Sequence, residues 1–278
     1  MNVSKTRAAI VAGGIVVIAA GTIAVLGAAR TPRLTPVMRG ARAADDLGCF
    51  ACHGPRGTGG VPNPGSDGQE VPAWDGGTAM MYVKGEGEIR EWILDGRPKR
   101  LAHPADRAEP AAPGDRSAPG PERNRTGTVP LRMLAFAGVV SNDELDDLVA
   151  FYKAVAAFET PPQDAAEGYR VASRMGCFGC HGPGGQIGAS NPRSFKGYIP
   201  PWQGADFAEL ARNDGEIRQW ILRGGIDRLD SNPLARFFTR RQVIHMPAYG
   251  SALADSDADA LVAYIRWLQI PHKTPEQN

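Results

Sequence analysis

The sequence predicts an all-α fold made of two tandem copies of one helical unit. Three observations predict it: a stretch that matches itself at a constant shift, helical periodicity towards the end of each copy, and no run with the alternation of a β-strand. Shifted by 128, residues 48–96 align with 176–224 without a gap, and 23 of the 49 positions are identical. Past Gly96 and Gly224 the shift becomes 113, because the first copy carries 15 extra residues. Beyond them Leu148-Val149-Ala150-Phe151 meets Leu261-Val262-Ala263-Tyr264. Aromatic residues at 7% and 34 glycines suit long loops around a small side-chain core.

The elements follow in order. Residues 1–35 form an N-terminal segment in which Ala8 to Ala29 is 22 residues without a charge, after Lys5 and Arg7. At about 1.5 Å per residue such a helix spans a hydrocarbon core of about 30 Å. A signal peptide has an apolar stretch of only about 7 to 15 residues, which favours an uncleaved transmembrane anchor. Gly27-Ala28-Ala29 is a passable cleavage site and keeps a signal helix open. Either way the chain from about residue 31 is exported. It is expected on the periplasmic side of the inner membrane, or soluble in the periplasm after cleavage.

The first unit covers residues 36–158, a linker 159–163 holds Pro161-Pro162, the second unit covers 164–272, and 273–278 is a tail. The insertion at 97–130 has seven Pro and seven Lys or Arg in 34 residues. It reads as a solvated surface spacer, with a docking arm for an acidic partner as the alternative. Helices are expected just before residues 49 and 177, at Glu88–Leu94 and Glu216–Leu222 ahead of Gly96 and Gly224, and at 142–157 and 256–268.

The chemistry lies in a phrase that occurs twice. Cys49-Phe50-Ala51-Cys52-His53 and Cys177-Phe178-Gly179-Cys180-His181 contain all four cysteines. C-x-x-C-H is the attachment signature of haem c: two thiols add to the porphyrin and the adjacent His reaches the iron. Each phrase predicts one covalent haem. A four-cysteine zinc site would place its pairs roughly 15 to 20 residues apart, and these lie 128 apart. A redox dithiol needs a βαβ context that Gly- and Pro-rich surroundings do not offer. With the thiols committed to haem, no disulfide is expected.

Met133 and Met246 align just ahead of the terminal helices, and a thioether opposite the His raises the potential of a haem iron. Most Met residues are gap-fillers, but no other Met in one copy meets a Met in the other: Met80 aligns with Ala208, Met81 with Glu209 and Met175 with Leu47. Met133 and Met246 are therefore the expected axial ligands. His103, in the insertion, is a weaker competitor, while His245 adjoins Met246 and His272 lies in the tail.

On these residues the chain resembles the tandem dihaem class I c-type cytochromes, over roughly 36–158 and 163–270. The resemblance implies two class I cytochrome c domains wrapped around two covalent haem c groups. It further implies that the Pro72 and Pro200 carbonyls accept the Nδ1 proton of His53 and His181. Trp74 and Trp202 stand where that family usually has Leu, so they are expected either to pack on the porphyrin or to serve as plain core residues. The function it implies is single-electron transfer between periplasmic or membrane-bound redox partners, without catalysis. The alternatives are a cytochrome subunit of a larger respiratory or dehydrogenase complex, and a dihaem peroxidase, which needs an iron that can open. Lys and Arg number 31 against 30 Asp and Glu, so nucleic-acid binding is not indicated. Arg236, Arg240 and Arg241 near Phe237-Phe238 form a local basic-aromatic patch.

Overall fold

The computed structural model describes residues 17–18, 20–66, 68–77, 79–101 and 130–270. Among these the protein is helical, without strands, and two isolated bridges, Pro62 to Glu70 and Ser190 to Tyr198, close equivalent loops. The longer helices are α1 (Pro36–Asp46), α2 (Glu86–Asp95), α3 (Asn142–Val155), α4 (Gln163–Arg174), α5 (Asp214–Arg223), α6 (Pro233–Arg241) and α7 (Asp255–Gln269). Local chemistry sets their ends. Thr35 caps α1 ahead of Pro36, and Ser141 with Glu144 makes a capping box for α3. Helices α2 and α5 stop at Gly96 and Gly224, whose φ values of 70° and 69° are left-handed.

Two crossings organise the molecule: α1 packs on α3, and α4 on α7. Each is closed by a glycine. A Cβ at Gly40 would overlap the Asp147 carbonyl, and one at Gly168 would overlap the Ala260 carbonyl. Gly40 and Gly168 are 128 apart and Asp147 and Ala260 are 113 apart, so the duplication extends over both crossings. Buried Ala44, Leu148 and Phe151 fill the first crossing, and Ala172, Leu261 and Tyr264 the second. The halves also touch, since Ile187 of the second joins the cluster of Leu148, Phe151 and Val155.

One expectation is corrected. The 128 shift does not end at Gly96 but continues to Leu101. Pro98 and Ile226 are equivalent and fully buried. Arg100 pairs with Glu88 at 2.5 Å as Arg228 pairs with Glu216 at 2.7 Å, and each also donates to an equivalent carbonyl, Tyr82 or Leu210. The extra residues therefore begin after Leu101, where 102–129, with His103, lie outside the described residues.

The expected N-terminal anchor is not confirmed. Residues 20–30 are helical, but residues 1–16 and 19 of the expected anchor lie outside the described set. Among the described residues no helix is long and apolar enough to cross a membrane. After this helix the chain runs along the second half: Arg33 donates to the buried Asp206 through both its backbone N (3.0 Å) and its Nε (2.7 Å). Lys196 and Tyr198 donate to the same carboxylate at 2.6 and 2.7 Å. Burial raises the Asp206 pKa, and the Lys196, Tyr198 and Arg33 donors outweigh it and hold it at about 2.

Gly40→Ala or Gly168→Ala should destabilise the protein by roughly 1–3 kcal/mol, because a backbone carbonyl blocks the new methyl; thermal unfolding reads this. Asp206→Asn should lower the unfolding temperature by a few degrees at neutral pH. A depressed carboxylate stabilises above its ordinary pKa and loses that contribution as the pH falls. The gap between wild type and Asp206→Asn should therefore close between pH 3.8 and about 2.

Candidate functional site

Each C-x-x-C-H phrase forms a single helical turn, Phe50–His53 or Phe178–His181, following the end of α1 or α4. None of Cys49, Cys52, Cys177 and Cys180 is in a disulfide. Their turns open on two cavities of about 280 and 430 Å³. The first is lined by Cys49, Cys52, His53, Pro72, Trp74 and Met133, the second by Cys177, Cys180, His181, Pro200, Trp202 and Met246. The structure thus brings together all twelve residues expected at the two sites. Met80 and Met81 are exposed and line neither cavity, and His245 is an exposed neighbour of Met246 at the second.

The imidazoles are held in one orientation. His53 Nδ1 lies 3.0 Å from the Pro72 carbonyl oxygen and His181 Nδ1 3.3 Å from that of Pro200. A carbonyl can only accept, so Nδ1 carries the proton and Nε2 keeps its lone pair. Burial lowers the pKa of His53, and it pushes His181 down to about 4, in each case against the carbonyl contact. Both rings are therefore neutral at pH 7 and ready to ligate. The carbonyls are themselves anchored: Val71 and Ile199 donate backward across their loops at 2.9 and 2.8 Å, and Trp74 and Trp202 donate to Gly57 and Gly185 at 2.8 Å.

Trp74 and Trp202 stand beside the histidines, with ring centroids 4.9 and 5.0 Å apart and interplanar angles of 38° and 39°. Each indole occupies the space that a Cβ at Gly57 or Gly185 would need. Phe151 and Tyr264 meet them edge-on at 5.7 and 6.0 Å. The indoles therefore buttress the imidazole from the side of the terminal helix, and this aromatic contact positions the His ring.

The methionine segments are pinned at three points. Two residues upstream, the Asn63 side chain accepts from Leu131 N at 2.9 Å and donates to Leu131 O at 3.1 Å. Asn191 repeats this with Ile244, at 2.9 Å in both directions, and accepts also from Val243 N at 3.1 Å. Alongside, the Met133 and Met246 carbonyls fill the place of a side chain at Gly96 and Gly224. Downstream, Phe136 and Ala137 donate to the Ile93 and Leu94 carbonyls at 3.0 Å, and Tyr249 and Gly250 do the same to Ile221 and Leu222 at 3.1 and 3.0 Å. These carbonyls belong to helix ends that lack an internal partner.

This donor set fits a covalently held haem. It supplies paired thiols, a neutral imidazole with its lone pair free, a thioether from a separate segment and an apolar wall including Ile89 and Trp92 or Ile217 and Trp220. Residues 165–269 match the family model of cytochrome c. That match supports a c-type cytochrome domain over this segment; such a domain implies covalently bound haem c and suggests haem-based electron transfer. No curated protein and no solved structure matches the chain.

Asn63 and Asn191 appear in the sequence as an aligned Asn-Pro pair, and nothing there assigns them a role. Their burial, at 5% and 3% exposure, is the signal the structure adds. Removing a buried bidentate amide costs about 1–3 kcal/mol. Asn191→Ala should destabilise the second half by that amount and, in the haem-loaded protein, create a high-spin fraction in the electron paramagnetic resonance (EPR) spectrum. Asn191→Asp keeps the acceptor and should recover part of the low-spin signal.

Proposed function

We propose that the protein is a dihaem electron carrier, with both haems ligated by His and Met, that passes single electrons between a redox donor and acceptor on the periplasmic side of the membrane. The observation that carries this reading is the coincidence, in both cavities, of a C-x-x-C-H turn with a methionine held on a separate segment. Haem supplies a ferric/ferrous couple, and a thioether opposite imidazole favours the reduced state. Cys49 and Cys52, with Cys177 and Cys180, would hold the groups covalently. His53 and His181 donate through Nε2, with Nδ1 committed to Pro72 and Pro200. Met133 and Met246 would each supply the second protein ligand to the iron, which would leave no place for a substrate to bind it. The pinned methionine segments suit a carrier, since ligands that do not move keep the reorganisation on electron transfer small.

A dihaem peroxidase would need one iron able to release its ligand, and the three-point holding of both methionines opposes that. The uncharged run Ala8–Ala29 supports an N-terminal membrane anchor. Incorporation into a larger respiratory complex would use the same two sites with fixed partners.

Met246→Ala and Met133→Ala should each convert one haem to a high-spin or ligand-exchanged form in absorption and EPR spectra, while both haems stay covalently attached. A wild-type protein with one substantial high-spin ferric iron that reduces added peroxide at enzymatic rates would overturn the carrier reading in favour of the peroxidase.

A further inference from the structure

Chain order alone would put the first unit next to an N-terminal anchor. The structure routes the chain differently. Arg30 Nε donates to the Phe195 carbonyl at 3.1 Å, and its guanidinium lies 5.2 Å from the centre of the Phe238 ring. Arg33 is locked to Asp206, and the Thr35 methyl packs on Gly204. All of these partners belong to the second half.

We propose that the second unit is the membrane-proximal one and that helix α6 lies on the anionic surface of the bilayer, beside the point where the N-terminal segment leaves it. The proposal rests on the anchor reading of residues 8–29. Arg30 is the first charge after the 22 uncharged residues, so in an anchored chain it marks the edge of the hydrocarbon. The described residues leading to it keep apolar side chains in the open, with Val17, Ile18, Ile23 and Val25 at 69–72% exposure. Stacking of Arg30 on Phe238 sets α6 at the same depth.

The surface of α6 suits that place. Phe237 is 52% exposed and does not line the second cavity, whereas Leu234, three residues earlier and 53% exposed, stands at the edge of that cavity. Arg236, Arg240 and Arg241 are exposed on the same helix, and the Arg241 guanidinium lies 5.1 Å from the centre of the Phe237 ring. Apolar anchors between arginines are the composition of a helix that lies in the headgroup region, and its positive charge complements anionic lipid. Asn232 caps its start by accepting from Leu234 N and Ala235 N, so the helix is formed before it meets lipid. Ala235 and Phe238 line the second cavity, and the chain runs from α6 directly to Met246. Lipid contact would therefore lie one helix from the second haem.

The test is hydrogen exchange on the full haem-loaded chain in phosphatidylcholine vesicles with and without phosphatidylglycerol, alongside vesicle flotation. Amides of 234–243 should exchange roughly tenfold more slowly with phosphatidylglycerol present, and high salt should reverse this. The triple variant Arg236→Glu, Arg240→Glu, Arg241→Glu should still float but lose the slowing, with exchange in α7 unchanged as proof of folding. Flotation with no slowing in 234–243, or equal slowing on uncharged lipid, overturns the assignment of α6 and leaves the anchor intact. Failure to float overturns the anchor reading itself, and this assignment with it.

Discussion

At Gly40 and Gly168 two helices meet backbone to backbone, and the rest of each unit takes its position from that contact. The absent side chains let α1 and α4 close on the carbonyls of Asp147 and Ala260. This distance sets where Phe151 and Tyr264 stand on the terminal helices. They in turn meet Phe50 with Trp74, and Phe178 with Trp202, and each indole faces its histidine. A methyl group at either crossing would displace the terminal helix and with it the aromatic wall that orients the imidazole. Close packing makes such displacement costly, since neighbouring side chains have no room to absorb it.

The opposite wall is built by hydrogen bonds. A methionine has three rotatable bonds and no polar group by which the protein can fix it. Both copies answer by fixing its backbone: a buried asparagine before it, a glycine helix end beside it, and helix carbonyls after it. The ion pairs Arg100–Glu88 and Arg228–Glu216 brace the same helices at their N-termini, where Glu88 and Glu216 also accept from Lys84 N and Arg212 N. Salt bridges at such partly exposed sites contribute little energy on their own. Their repetition in both copies shows that they belong to the unit and not to one half.

Much of this was legible in the sequence because duplication supplies two readings of each position. The C-x-x-C-H turns, the helices ending at Gly96 and Gly224 and the placing of both methionines at the cavities came from motif and shift, and the proline carbonyls from the family resemblance. Four features did not. The role of Asn63 and Asn191 depends on partners 68 and 53 residues away, which alignment does not reveal. The continuation of the first shift to Leu101 is visible in two identities only, Arg100 with Arg228 and Leu101 with Leu229, and needed the buried Pro98 and Ile226 to establish it. Arg236, Arg240 and Arg241 read as a charged patch, whereas the structure makes them part of helix α6. The docking of residues 30–35 on the second half is wholly tertiary, and chain order points the other way.

The proposed function requires two equivalent and coordinatively complete haem sites in one chain. A redox titration of the purified full-length protein, followed by absorption and by EPR, tests it most directly. The account predicts two covalent haems per chain, both low-spin with His/Met character in the ferric state, titrating as two one-electron couples. One haem per chain, or a stoichiometric high-spin iron in the oxidised wild type, would contradict it.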